Sequence, residues 1–463
     1  MRLRPRILLA AAAALGLGGC TGPCQPIDSL SRPGAASGRA DFTVIAALGT
    51  SISAGFTSGG LVDRHQVHAF PMVLAEQTGH ALALDGSLGF TFSAIDHDGF
   101  PPLLELKSLS PLVVDNDGRV AGNPTNLAQP RAFHNLAVPG FAVVDLADTS
   151  FYYSDPTSPR YPFFNWIARR HGSVLDQALG NGPTALAPPA TFFTVDVGSS
   201  EVLGPLTLGN DSVLVSPGAF HFVLQTSLAP IQTGLAIVNV PDVTSLPFAT
   251  TFPPFTRTTG GAPVALIGEE TPGNPQPLSA GDFVLLTAAD SLAIGTGFPL
   301  GAVNYLNPSA PGNGRPLNQR QVLSASEAVN LRATIDQYNA AIASVAALHG
   351  AALVDLHALL AYASTTGLRF QGTTYNTRYL VGGLIGLDGI HPTDLGQGFI
   401  SNALIAEVNA TYGSRIPFAD LGAAATATAS HARRGGREDA APPWVQGLGP
   451  ASFPWARGSA VLP

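Results

Sequence analysis

The chain has 463 residues, of which 45% are hydrophobic and 12% charged, and a net charge of −8. This is material for a large core in one α/β domain with long insertions, and it leaves no basic face for nucleic acid or for binding anionic lipid by charge. The 51 glycines and 39 prolines predict long, turn-rich loops between short regular elements.

Arg2, Arg4 and Arg6 precede the apolar run Ile7 to Leu17, which closes on Gly18-Gly19-Cys20. The run is too short to span a bilayer as a mature helix, and it has the charged, apolar and small-residue parts of an export signal, assigned to residues 1–19. Removing it takes the net charge from −8 to −11. Leu17-Gly18-Gly19-Cys20 also resembles the bacterial lipoprotein box, which implies lipid on Cys20 and an exported, membrane-anchored protein. Thr21 rather than Asp after the cysteine favours, by the same resemblance, the outer membrane. The other reading of Cys20 is a disulfide to Cys24, which would close only a tight loop and stabilise little. Gln25 to Ala40, rich in Ser, Pro, Gly and Arg, reads as a tether, so residues 20–41 form anchor and tether.

The first strand is expected at Thr43 to Leu48, where an apolar run breaks into Gly49-Thr50-Ser51-Ile52. A short helix carrying Phe70, Val73 and Leu74 follows and ends before Gly79. Ala81 to Ala132 reads as a surface excursion. Its Asp96-His97-Asp98 cannot converge on one ion from a regular backbone and reads as solvated loop. A second strand, Phe133 to Val138, ends in Pro139-Gly140 and leads into a helix over Ala142 to Leu146. A third, Thr191 to Val197, runs into Gly198-Ser199-Ser200-Glu201, and Leu235 to Val240 supplies the fourth. Asp242 to Asn318 interrupts the alternation as a β-rich lid or substrate-binding insertion with one strand-like run, Phe283 to Thr287. A long helix then opens on the capping box of Ser324 and Glu327 and runs to about Leu348. The fifth strand, Ala352 to Leu356, follows it. The last helix, Thr393 to Val408, begins directly after His391-Pro392. Residues 418–463 carry little pattern and are expected to be disordered from Ala423 onward. Five short strands alternating with helices predict a doubly wound parallel sheet with helices on both faces.

A strand that stops at Gly-Thr-Ser presents its serine at the carboxyl edge of the sheet, where open α/β folds place their chemistry. Ser51 is therefore a candidate nucleophile, against the plainer reading of a turn cap. A serine hydroxyl needs a base, and the base needs a group to hold its tautomer. Asp388 and His391 are three residues apart on one loop, so the carboxylate can hold one ring nitrogen while the other faces Ser51. His391 taken alone reads first as a capping or packing histidine.

Four blocks in order now resemble the SGNH or GDSL-type lipases and esterases: Gly49-Thr50-Ser51-Ile52, Asn135 to Gly140, Gly198-Ser199-Ser200-Glu201, and Asp388-Gly389-Ile390-His391. Ser51 to Phe56, Gly59-Gly60-Leu61 and Asn239 to Val243 are similar to an exported bacterial branch of that family. The resemblance covers about Phe42 to Pro417. It implies a flavodoxin-like SGNH fold over residues 42–417 and acyl transfer through a serine ester, with no cofactor and no metal. The oxyanion hole would be Ser51, Gly140 and Ser200. Ser200 stands where the family has Asn, and a hydroxyl is shorter and freer to rotate, so Ser199 or Asn135 is a possible substitute. Thr50 replaces the family's Asp and removes a charge beside the nucleophile. Glu201 reads as a loop-bracing carboxylate.

The leading expectation is thus an envelope-anchored carboxylic ester hydrolase acting on small-molecule or lipid esters, with oligomeric state undetermined. Phe248, Phe252, Phe255 and Phe298 point either to apolar acyl groups or to insertion core. A polysaccharide O-acetyl esterase using the same site, and a non-catalytic binding protein with a decayed oxyanion hole, are the alternatives.

Overall fold

The computed structural model describes residues 36–83 and 89–434. The leader, Cys20 and Cys24, most of the tether and the chain beyond residue 434 lie outside the described residues. Four apolar runs form one parallel sheet: β1 (Ile45–Gly49), β2 (Phe192–Asp196), β3 (Gly234–Val238) and β4 (Ala352–Val354), hydrogen-bonded in that order. β1 and β2 are buried at every position, as strands covered on both faces must be. Register pairs Gly49 with Asp196 and Asp196 with Val238, which aligns the carboxyl ends of three strands.

The expected second strand is the main correction to the sheet. Residues 133–138 lie extended beside β1, with Ala47 N–H donating to His134 O and the N–H groups of Leu136 and Val138 donating to Ala47 O and Gly49 O, each at 2.8 Å. Only Asn135 forms a bridge to β1, because the N–H groups of His134 and Asn135 both turn to Thr91 O on the other side. The described sheet therefore has four strands, not five.

Eight helices matter for the site: α1 (Ser51–Ala54), α2 (Phe70–Gln77), α3 (Ser199–Thr207), α4 (Pro217–Leu228), α5 (Ala325–His349), α6 (Leu356–Thr365), α7 (Asp394–Tyr412) and α8 (Leu421–Arg434). The Ser324 side chain accepts from Glu327 N–H, and the Glu327 carboxylate accepts from Ser324 N–H at 2.8 Å, closing the capping box of α5. Leu331, Ile335, Tyr338, Ile342 and Val345 of α5 are buried on one stripe. α4 and α5 share a core with Ala46, Leu48, Val195 and Ile237 on one face of the sheet. α2 and α7 cover Ile45, Phe192, Ala236 and Val238 on the other. Among the described residues no helix is long and apolar enough to cross a membrane.

Other expectations shift. Ala142 to Leu146 yields only a 3-10 turn, Val143–Leu146. Phe283–Val284 pairs with Val322–Leu323, so the insertion closes at the cap of α5, and Phe252 and Phe298 are buried in a separate core that it shares with Leu112. Part of the expected surface excursion forms a hairpin, Glu105–Leu109 with Leu112–Asp115. The start of the patternless tail is helical: α8 sets Leu421 and Ala424 against Gly398 of α7, where no side chain stands between the helices. Thr428 Oγ1 there accepts from Leu395 N–H at 3.0 Å. The end of the tether is also held, with Arg39 N–H donating to Tyr412 O and Arg415 N–H to Ala36 O.

Candidate active site

β1 ends at Gly49, and the chain turns at Thr50 into α1, whose first residue is Ser51. A Cβ at Gly49 would meet Asp196 O at 2.8 Å and Ser53 Oγ at 2.9 Å, so the nucleophile turn packs directly on the end of β2. Thr50 Oγ1 donates to Asp196 Oδ2 at 2.6 Å, and Ser53 Oγ donates to the same oxygen at 3.1 Å. Burial pushes the Asp196 carboxyl above its ordinary value, against the hydrogen bonds from Thr50 and Ser53 that pull it down. The carboxyl that Thr50 does not carry is thus supplied from the neighbouring strand.

His391 lies at the other side of Ser51, on the loop before α7. Its Nε2 is 2.8 Å from Ser51 Oγ and its Nδ1 is 2.8 Å from Asp388 Oδ2. An ionised carboxylate only accepts, so Nδ1 carries the proton and Nε2 is left to accept from the serine hydroxyl. Asp388 Oδ1 accepts from the N–H groups of Ile390 and His391, both at 2.9 Å. Burial pushes the Asp388 carboxyl up, but His391 and these amides outweigh it and hold it below the usual range. Phe56 packs on the imidazole with ring centroids 4.6 Å apart.

The Asp388 loop is clasped by the segment after α1. Gly59 N–H donates to Asp388 Oδ2 at 2.8 Å and Leu387 N–H to Ser58 Oγ at 3.1 Å. Tyr379 Oη donates to Leu387 O at 2.6 Å. Gly389 has φ +71°, and a Cβ there would sit 2.9 Å from Phe248 N, so this turn of the loop admits only glycine.

Val138 N–H bonds to Gly49 O, which sets Pro139-Gly140 just beyond the nucleophile turn. Among the described residues, neither the Ser51 nor the Gly140 amide donates to another protein group, leaving two N–H groups for a ligand oxygen. Gly140 has φ +79°, and a Cβ would meet Arg160 Cγ at 2.8 Å. Arg160 pairs with the buried Asp145, whose Oδ2 also accepts from Ala142 N–H at 2.8 Å. Glu201 Oε1 accepts from Val143 N–H at 2.6 Å, bracing the same turn, while its Oε2 is buried with no hydrogen-bond partner. Burial pushes Glu201 up to about 7.

Ser200 is partly exposed in the first turn of α3. Asn135 does not stand in for it. Its Nδ2 donates to Ser53 O at 2.8 Å and its Oδ1 accepts from Ala137 N–H at 3.0 Å, so the carboxamide is consumed as a brace. Ser199 is buried, and its hydroxyl has no partner. Asp96 and Asp98 serve their own loop: Asp96 Oδ1 accepts from Asn123 N–H at 2.7 Å, and Asp98 pairs with Arg119 at 3.2 Å. Cys20 lies outside the described residues.

The contributions of Asp196, Gly59, Phe56 and Arg160 are absent from the sequence reading. Phe56 and Gly59-Gly60 stand there only within the resembling blocks, and nothing in their spacing ties them to a loop more than 300 positions away.

No family model matches the chain, and no curated protein matches it. Among solved structures, LAE5, an alpha/beta hydrolase enzyme from the metagenome of Lake Arreo, Spain, aligns over 80% of this chain and 97% of its own at 13% identity, with a TM-score of 0.31. A likeness that distant carries no argument, and the chemistry rests on the geometry above.

Proposed function

We propose that the protein is a serine-dependent carboxylic ester hydrolase of the SGNH or GDSL type. The observation that carries this reading is the unbroken chain from Ser51 Oγ through His391 to Asp388, with both links at 2.8 Å. The order of chain segments across the sheet supports the fold type: counting residues 133–138, it runs second, first, third, fourth, fifth, as in flavodoxin-like sheets.

In the reaction, Ser51 Oγ bonds to the ester carbonyl carbon as His391 Nε2 takes the hydroxyl proton, and Asp388 stabilises the imidazolium. The charge that develops on the carbonyl oxygen is met by the amides of Ser51 and Gly140 and by the Ser200 hydroxyl. Collapse breaks the carbon–oxygen bond to the alcohol, which leaves with the proton from His391. Water then repeats the cycle on the acyl-serine and releases the acid.

The test is hydrolysis of p-nitrophenyl acyl esters together with labelling by a fluorophosphonate. Both are expected in the native protein and lost in Ser51→Ala and His391→Ala. Turnover unaffected by Ser51→Ala sinks the proposal, and absence of an adduct on Ser51 in folded protein favours a binding protein. The proposal extends to an envelope protein anchored by lipid on Cys20 in the outer membrane, supported by the segment Arg2 to Cys20 and, for the outer membrane, by Thr21. Labelled palmitate entering the native chain but not Cys20→Ser tests that part.

A further inference from the structure

Beside the triad lies an open apolar cleft. Each of the three loops that hold the reacting groups gives it a wall residue next in sequence to the functional one: Ile52 beside Ser51, Ile390 beside His391, and Ser199 beside Ser200. The remainder of the wall is built by α6 and α7, through residues such as Leu359, Leu360 and Phe399. Ser199 and Thr377 are the polar side chains of the lining, and no charged residue contributes. The Phe residues of the insertion are not part of it, and Phe252 and Phe298 are spent in the insertion's own core.

We propose that this cleft is the acyl-chain site and that the substrate carries an aliphatic acyl group longer than acetyl. The inference rests on the ester hydrolase reading. An acyl group bonded to Ser51 Oγ begins within reach of Ile52 and Ile390, and its chain must run somewhere from there. A sugar or a charged headgroup in this lining would lose its hydrogen bonds to water with no replacement, whereas methylenes gain by leaving water. The geometry therefore separates this site from one built for acetylated glycans.

The experiment is a chain-length series of p-nitrophenyl esters, acetate to palmitate, with the full mature protein. kcat/KM is expected to rise about three- to fourfold for each methylene that the cleft takes out of water, so that medium-chain esters are turned over well ahead of acetate. Leu359→Trp, which fills a half-buried part of the wall, is expected to lower the decanoate-to-acetate ratio at least tenfold, and Phe399→Ala to shift the optimum to longer chains. A flat or falling series in the native protein overturns the proposal, as does an unchanged ratio in a Leu359→Trp protein with native circular dichroism. Serine-dependent acetate turnover with a flat series leaves the hydrolase reading standing and removes only the cleft. Without turnover on any ester, dansyl-labelled undecanoic acid reads the cleft directly: binding weakened by Leu359→Trp upholds it, and no binding overturns it.

Discussion

Thr50 Oγ1 and Asp196 Oδ2 are 2.6 Å apart, and the bond joins the residue before the nucleophile to the last residue of the adjacent strand. Asp196 is buried, its Oδ1 has no hydrogen-bond partner, and its carboxyl is pushed toward the neutral form. Its Oδ2 accepts from the hydroxyls of both Thr50 and Ser53, so it serves as a hydrogen-bonding strut under the turn, and an amide oxygen in its place would accept the same two bonds. Asp196→Asn is accordingly expected to change unfolding free energy at pH 7 by no more than about 1 kcal/mol. Thr50→Asp sets a second carboxyl against the first in a dry site and is expected to cost about 3 kcal/mol or more. Urea unfolding of the two variants checks both values.

Asp388→Asn keeps the shape of the loop but turns a pure acceptor into a group that can face His391 with an N–H. The wrong imidazole tautomer follows, and kcat for ester hydrolysis is expected to fall by about 10³- to 10⁴-fold with KM little changed. Because the folded protein holds Asp388 below its ordinary value, its contribution to stability is present above the unfolded value and is lost as pH falls through the folded one. Acid unfolding curves of the Asn variant should therefore be the shallower at the low-pH end.

Ser200→Asn is expected to raise kcat. A carboxamide reaches further than a hydroxyl and is held in one plane, so it restores a preorganised third donor beside the two free amides. A gain of about tenfold to a hundredfold fits the known worth of such a donor, and Ser200→Ala should lose activity if the hydroxyl now serves. Steady-state kinetics on one ester measures both.

Glu201 titrates near 7 in the folded protein against an ordinary value of 4.5. The folded state binds the proton more tightly than the unfolded one, so stability falls as pH rises from about 4.5 to about 7 and is level beyond. Glu201→Gln copies the protonated acid and removes this slope, and above pH 7 it is expected to be the more stable protein by up to about 3 kcal/mol. Denaturant midpoints at pH 5 and pH 8 for both proteins decide it.

Much of the frame is legible in the sequence because it is written locally. Apolar runs that stop at glycine mark β1 and β2, the apolar run from Leu235 marks β3, and Ser324 with Glu327 marks the start of α5 within a residue. What is not legible depends on distant partners. Residues 133–138 have a strand's composition, yet the His134 N–H, which a regular ladder would point at β1, donates to Thr91 O instead. α8 lies in a stretch of low mean hydropathy and is placed by the packing of Leu421 and Ala424 on Gly398. At the site, motif order brings Ser51, Asp388 and His391 to attention. The strut from Asp196 and the Gly59 amide on Asp388 are tertiary contacts that no local pattern encodes.

The pinning of residues 36–41 fixes a direction. α7 starts at the His391 loop and, over 19 residues at about 1.5 Å each, runs roughly 28 Å to Tyr412, where Arg39 is bonded. β1 points the other way, from the same far edge toward Ser51. Residues 36–41 therefore sit at the end of the domain opposite Ser51. Under the function proposed above, an anchor upstream of them would hold the molecule by the end away from the triad.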